Sequence, residues 1–264
     1  MAAAVPLVGA VQNSAYNFTF YFDYFNIMSK YLKFTDLASL SERDTTATIT
    51  AWAEAAVSGT ELPAALCVYP SMIESAALAI GSFPVALASV AGAFPSGQTY
   101  MEVKLLEVAM AIENGADEID MTLDVGAILA RDFDVAKAEI AAIKEEIGDD
   151  ALLKVILETG ILADDQLIYD ASLVAMQAGA DFIKTSTGKA LVAGVVVGAT
   201  PSAARVMCRA IKQFYDLTGR RVGFKASGGI RTDDDAKVYY DIVNQELGEQ
   251  WLTPSLFRLG RSSI

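Results

Sequence analysis

The chain has 264 residues, 53% of them hydrophobic, and a formal charge of −13. That length suits one large α/β barrel better than two ordinary domains, and no uninterrupted run of about 18 apolar residues marks a membrane span. The acidic balance disfavours nucleic acid and anionic membranes as partners, so an anionic ligand would need a local basic cluster.

The first ten residues are small and apolar, carry no basic stretch and are interrupted by Pro6, so they read as a tail and not as a signal peptide. Residues 13–31 form a helical stretch rich in aromatics, among them Tyr16, Phe18, Phe20, Tyr21 and Phe25. Short β-rich runs then alternate with longer helical runs, the pattern of a parallel sheet with crossover helices. Strands are expected to begin near Phe34, Ala65, Val85, Glu118, Leu153, Phe182, Val222 and Leu256, eight in all. Apolar runs such as Leu153-Lys-Val-Ile-Leu157 fit strands buried on both faces. Residues 101–114 place Val103, Leu106 and Met110 at helical spacing and stop at Gly115. In Ala199-Thr-Pro-Ser202, Thr200 reads as an N-cap with Pro201 at the first helical position, and Gly219 would close that helix. Gly115-Ala-Asp and Gly179-Ala-Asp each lead from a helix into a strand. The expected architecture is a single (β/α)8 barrel over residues 33–264, preceded by a tail and helical extension over residues 1–32, with no eighth helix after the last strand.

There is no histidine, which excludes Ser-His-Asp triads, Cys-His dyads and His-ligated zinc. Protons must then move through carboxylates, lysines, tyrosines or water. Two cysteines, Cys67 and Cys208, make no disulfide framework, and a reducing cytoplasm is the simplest reading. Polar residues cluster where strands end, the face that carries chemistry in a barrel: Asp36, Asp120 and Asp124, Glu158-Thr159, Lys184-Thr-Ser, Lys225 and Ser262-Ser263. Lys184, in Asp181-Phe-Ile-Lys184-Thr-Ser-Thr-Gly188-Lys189, lies inside a strand. A buried lysine is uncommon and is either a nucleophile or a structural partner of a carboxylate. Lys225 repeats the pattern on the next strand, roughly 5 Å away. Repulsion and desolvation together would lower one lysine toward neutrality and free its amine to attack a carbonyl. Asp120 would relay protons, neutralise the lysines, or do both. Gly228-Gly229 with Arg231 is by itself only a turn, but after strand seven of a barrel it reads as a phosphate cradle. Gly260-Arg-Ser-Ser263 would complete that cradle, and Lys189 can reach it.

Taken together, these stretches resemble the deoxyribose-phosphate aldolase family from about Phe34 to the last residue. The resemblance runs through Cys67-Val-Tyr-Pro70, Ser89-Val-Ala-Gly-Ala-Phe-Pro-Ser-Gly97, Gly115-Ala-Asp-Glu-Ile-Asp120 and Leu153-Lys-Val-Ile-Leu-Glu-Thr-Gly160. It continues through the Lys184 string and Gly223-Phe-Lys-Ala-Ser-Gly-Gly-Ile-Arg-Thr232. It implies a Schiff-base lysine at Lys184, a second active-site lysine at Lys225 and a proton-relay aspartate at Asp120. It places phosphate contacts at Lys189, Gly228, Gly229, Gly260, Ser262 and Ser263, with Arg231 nearby, and polar mouth positions at Asp36 and Lys154. The implied reaction is reversible cleavage of 2-deoxy-D-ribose 5-phosphate to glyceraldehyde 3-phosphate and acetaldehyde, with no metal or organic cofactor. The implied partners are small molecules, with a homo-oligomer open and nucleic acid and membrane not expected. Departures are Ala38, Thr122-Leu-Asp124, Ile161 and Arg261, and the chain stops at Ile264, short of the family's final helix.

Another lysine-dependent barrel aldolase, such as a transaldolase or keto-acid phosphate aldolase, fits less well because of the second lysine on strand seven. A catalytically silent barrel that binds a sugar phosphate stays open. Arg261 either points inward and strengthens anion binding or points to solvent. Residues 13–31, or else a second subunit, are expected to cover the groove beside strands one and eight, where no eighth helix stands.

Overall fold

The computed structural model describes residues 29–262. Eight parallel strands form a closed barrel: β1 (Thr35–Ala38), β2 (Ala65–Val68), β3 (Ala86–Ala91), β4 (Glu118–Thr122), β5 (Leu152–Ile156), β6 (Phe182–Lys184), β7 (Gly223–Ser227) and β8 (Phe257–Arg261). Each strand pairs with its neighbours in sequence, and β8 closes on β1 through Asp36 beside Gly260 and Leu37 beside Arg261. Seven long helices cross between them: α1 (Thr46–Ala56), α2 (Ile73–Ile80), α3 (Met101–Glu113), α4 (Phe133–Ile147), α5 (Asp165–Gln177), α6 (Pro201–Thr218) and α7 (Asp233–Leu247). No helix follows β8 among the described residues, and none of those described is long and apolar enough to cross a membrane.

Local chemistry sets most of these boundaries. Thr200 caps α6 by accepting from the Ala203 N–H, Pro201 takes the first helical position, and Gly219 closes the helix in the left-handed region. Thr45 and Thr232 open α1 and α7 with reciprocal capping boxes. The repeated Gly-Ala-Asp turn has a common job. Gly115 and Gly179 adopt φ of 103° and 110°, conformations that L side chains avoid. The following Asp117 and Asp181 then reach back to the preceding strand. Their carboxylates accept from the N–H of Leu87 at 2.8 Å and of Leu153 at 2.9 Å.

β2, β4 and β7 are buried along their whole length, as strands sandwiched between two layers must be. Outward residues such as Ile119, Met121, Leu153, Val155, Ile183 and Phe224 pack under the helices in the main core. The inside of the barrel is divided. On β2 and β3 it is lined by the small side chains Ala65, Cys67, Ala88 and Val90. On the other strands it is lined largely by charge: Asp36, Glu118, Asp120, Lys154, Lys184, Lys225 and Arg258, all buried.

One helix takes an orientation that spacing alone leaves open, and one sequence expectation meets a limit. Val103, Leu106 and Met110 do share one face of α3, but it is the outer face, and each is about half exposed or more. The face that α3 buries carries Lys104, Val108 and Ala111, with Lys104 held at 2.7 Å by Glu139 of α4. Most of the expected helical stretch at residues 13–31 lies outside the described residues. The part that is described, Ser29 to Tyr31, is not helical and runs into a 3-10 turn at Leu32–Phe34. That turn covers part of the groove beside β8. Tyr31 and Phe34 pack on Tyr240 of α7 at ring distances of 5.6 and 5.9 Å, and Phe34 packs on Phe257 of β8 at 5.4 Å.

Candidate active site

Side chains alternate across a strand, so Glu118, Asp120 and Thr122 of β4 share one face, as do Gly223, Lys225 and Ser227 of β7. This puts the charged residues of six strands into one buried network. Lys154 donates to Asp36 at 3.1 Å, Glu118 at 2.5 Å and Asp120 at 2.9 Å. Lys225 donates to Asp36 at 2.5 Å and to Asp120 Oδ2 at 2.7 Å. Arg258 bridges Asp36 at 2.5 Å and Glu118 at 2.7 Å. Lys184, highest on β6, donates to a single carboxylate oxygen, Asp120 Oδ2, at 2.7 Å. The two lysines singled out in the sequence thus meet on one oxygen of the aspartate singled out with them.

The network holds four cations and three carboxylates. Loss of one proton makes it neutral, and the contacts decide where that proton comes from. Burial opposes the charged form of every member. For Lys154, with three carboxylates, and Lys225, with two, the neighbours prevail and hold each amine above its ordinary value. Burial would likewise raise Asp36 and Asp120, but the surrounding cations prevail and both stay well below the usual carboxylate range. Lys184 has only Asp120, so burial wins, Lys225 adds repulsion, and its pKa is lowered. The sequence reading had the direction right. The larger cause is burial, and the repulsion from Lys225 is secondary.

Above this network a cavity of about 610 Å³ opens at the end where the strands finish. Lys184, Lys225 and Asp36 reach it, whereas Asp120 lies beneath them and is fully buried. Lys189, Gly228, Gly229, Arg231, Gly260 and Ser262 line its walls, so these residues are brought to one cavity. Ser263 lies outside the described residues. Gly228 has φ 91° and packs so closely on Gly198 that a Cβ there would come within 2.9 Å of its Cα. The resulting turn exposes backbone to the cavity, as a cradle for an anion requires. Lys189 donates to the Leu40 carbonyl at 2.7 Å and so ties the loop after β6 to the loop after β1 across the mouth.

Two members of the network escaped the sequence reading. Arg258 and Glu118 were not singled out, although Arg258 stands two residues before Gly260 on one strand face and Glu118 two before Asp120. Glu158 adopts a left-handed backbone at φ 56°, and its carboxylate accepts from the Thr187 hydroxyl at 2.5 Å and the Thr187 N–H at 3.1 Å. Burial pushes its pKa up. Strain of this kind at a non-glycine residue collects at functional sites. Cys67 reaches the cavity, but burial and the nearby Asp120 push its thiol up to about 11, so it stays protonated at neutral pH. Arg261 follows neither expected course. It is buried at the edge of the cavity, which it helps to line, with its guanidinium engaged by Ser29, Arg231 and Asp233 and not turned out to solvent. Among the described residues no cluster of three His, Cys, Asp or Glu is placed to hold a metal ion.

Comparison with known proteins agrees with this geometry. The chain is 45% identical over 203 residues to deoxyribose-phosphate aldolase of Mus musculus, a match covering 76% of this chain and 62% of that protein. It is 43% identical over the same length to deoxyribose-phosphate aldolase of Homo sapiens, with the same coverage. The chain therefore spans a little under two thirds of the length of these relatives. A tetrameric deoxyribose phosphate aldolase from Aeropyrum pernix superposes with a TM-score of 0.69 at 27% identity, covering 95% of this chain and 94% of that one. A family model described as DeoC/LacD family aldolase matches residues 30–246, which takes in β1 to β7, the lysine pair and Asp120, and the chain belongs to that family.

Proposed function

We propose that this protein is a Schiff-base aldolase that reversibly cleaves 2-deoxy-D-ribose 5-phosphate to D-glyceraldehyde 3-phosphate and acetaldehyde. The observation that carries this reading is the position of Lys184: it is the member of a buried ionic network that loses its proton most readily, and it stands at the floor of the cavity. A neutral amine there attacks the C1 aldehyde of the open-chain sugar, and loss of water leaves an iminium ion on Lys184. Removal of the C3 hydroxyl proton breaks the C2–C3 bond. The electron pair moves into the iminium as an enamine, and glyceraldehyde 3-phosphate departs. Protonation at C2 and hydrolysis release acetaldehyde and restore the amine.

Asp120 touches both Lys184 and Lys225, which suits it to relay protons through an ordered water. The walls at Lys189, Gly228, Gly229, Arg231, Gly260 and Ser262, with Ser263, would take the phosphate. The chemistry calls for no metal or organic cofactor. Two unpaired, buried cysteines fit a reducing cytoplasm, and a homo-oligomer fits the tetrameric relative.

The direct test is turnover of deoxyribose 5-phosphate, paired with borohydride reduction in the presence of acetaldehyde and mass analysis. An ethyl adduct on Lys184 is expected. A chain that binds the sugar phosphate but gives no adduct and no cleavage would be a silent binder instead.

Lys225→Leu supplies a second test. Lys225 repels the Lys184 ammonium and competes with it for Asp120, so its loss must raise the Lys184 pKa. The pH profile of adduct formation should move to higher pH, with a slower reaction at neutrality. An unmoved profile would confine Lys225 to proton relay.

A further inference from the structure

Arg261 is the cationic departure in the last motif, and the structure gives it an unexpected set of partners. Gly260 faces the barrel interior, where a Cβ would strike Ser227 Oγ at 2.5 Å, so the next residue faces the helices. There the Arg261 side chain is buried to 1% exposure. One terminal nitrogen, Nη2, donates to the Arg231 carbonyl at 3.1 Å. The other, Nη1, reaches Asp233 Oδ1 at 3.3 Å and Ser29 Oγ at 3.2 Å, while the Ser29 hydroxyl itself donates to Asp233 at 2.5 Å.

The backbone of Arg231 is therefore held from both sides. Its N–H donates to Asp235 of α7 at 3.0 Å, and its carbonyl accepts from Arg261 of β8. Arg231 ends the Gly228-Gly229-Ile230-Arg231 turn on the cavity wall, and it is exposed there. Gly228 is held by Gly198 and the Ala199 N–H at the start of the turn, and the exposed end at Arg231 is fixed from outside it. A guanidinium is a planar fork of fixed donors and suits this task better than a flexible ammonium. Burying it is costly, and its Nε finds no partner among the described residues. A hydrophobic residue would be cheaper at this place if only filling were needed.

We propose that Arg261 is a positioning residue for anion recognition: it clamps the Arg231 backbone to the end of β8 and holds the glycine turn in the shape that receives the phosphate of the substrate. This rests on the reading of the cavity as a sugar phosphate site, and it concerns how the cradle is held, not the bond that breaks. Holding recognition groups in place before the ligand arrives lowers the ordering cost of binding.

The test uses Arg261→Met and the milder Arg261→Lys in the full chain. Two ligands are compared, deoxyribose 5-phosphate and unphosphorylated deoxyribose, and inorganic phosphate is titrated calorimetrically. Arg261→Met should raise KM for the phosphorylated sugar and the Kd for inorganic phosphate by about tenfold each, with kcat changed less than KM. The kinetic constants for deoxyribose should move far less. Arg261→Lys keeps the charge and much of the bulk but lacks the fork, so it should recover only part of the loss. An unchanged phosphate Kd in either folded variant overturns the proposal. So does an equal loss with both sugars, which would mark Arg261 as a strut for the whole site. If the parent chain binds phosphate in an Arg261-dependent way but cleaves nothing, the aldolase reading falls and the clamp stands.

Discussion

Lys184→Met should lose borohydride trapping completely and turnover by on the order of 10⁴-fold or more, as removal of a covalent nucleophile does, yet fold as firmly as the parent. The second half of this expectation comes from the charge pattern. With Lys184 gone, three cations face three carboxylates: Lys154, Lys225 and Arg258 against Asp36, Glu118 and Asp120. Lys184 gave the network one hydrogen bond, and Asp120 Oδ2 still receives Lys225 at 2.7 Å. Methionine fills nearly the same volume without the cost of a buried ammonium. The stability change should stay within about 1 kcal/mol or be favourable. Adduct formation on the variant would remove Lys184 from the reaction, and a loss of several kcal/mol would show that it is a structural cation after all.

Lys154→Met should behave in the opposite way. Lys154 is fully buried and donates to all three carboxylates, so its removal leaves Glu118 and one oxygen of Asp120 without their shortest partners. Breaking a buried ionic cluster from one side costs about 3–5 kcal/mol because the remaining charge has no water to turn to. For a domain of this size that is a fall in Tm on the order of 10 °C. The pH dependence carries the sign. In the parent, Asp36 and Asp120 are held below their unfolded values, so they stabilise the fold above the ordinary carboxylate range and cease to do so as pH falls through their lowered pKa values. In the variant those carboxylates rise, one takes up a proton more easily, and the stability gap to the parent should narrow on acidification. Equal melting temperatures for Lys154→Met and Lys184→Met would show that the number of carboxylate contacts does not decide which lysine is structural.

These contrasts also show what the sequence could and could not disclose. All eight strands begin within a residue or so of their expected starts, because a strand buried on both faces leaves an apolar run between turn residues. Lys184 and Lys225 stood out because each interrupts such a run. Arg258 did not, since in Phe257-Arg-Leu-Gly260 one charge among alternating residues looks the same whether it faces water or the inside of a barrel. The spacing of Val103, Leu106 and Met110 gave the helix but left its orientation open. Periodicity tells which residues share a helix face, but not which face turns inward. On α3 the inward face packs Val108 and Ala111 into the core and joins Lys104 to Glu139, contacts with residues far off in sequence. Arg261 was noticed as a departure, but its partners Ser29, Arg231 and Asp233 lie on two other stretches of chain that only the closed barrel brings together.

The closure of β8 on β1 has a consequence for how the chain reaches this state. Asp36 and Arg258 are 222 residues apart, on the two strands that close the barrel, so their contact requires that closure. Until then β1 and β8 are open edges, with backbone N–H and C=O groups free to pair with another chain. Both edges carry charge on the side that will become the interior, Asp36 on one and Arg258 on the other. An unshut sheet therefore meets a second molecule with ionic side chains that would have to be stripped of water before the edges could join. Charge on edge strands opposes edge-to-edge pairing, so the residues that hold Lys154 in the closed barrel would also disfavour self-association of an opened one.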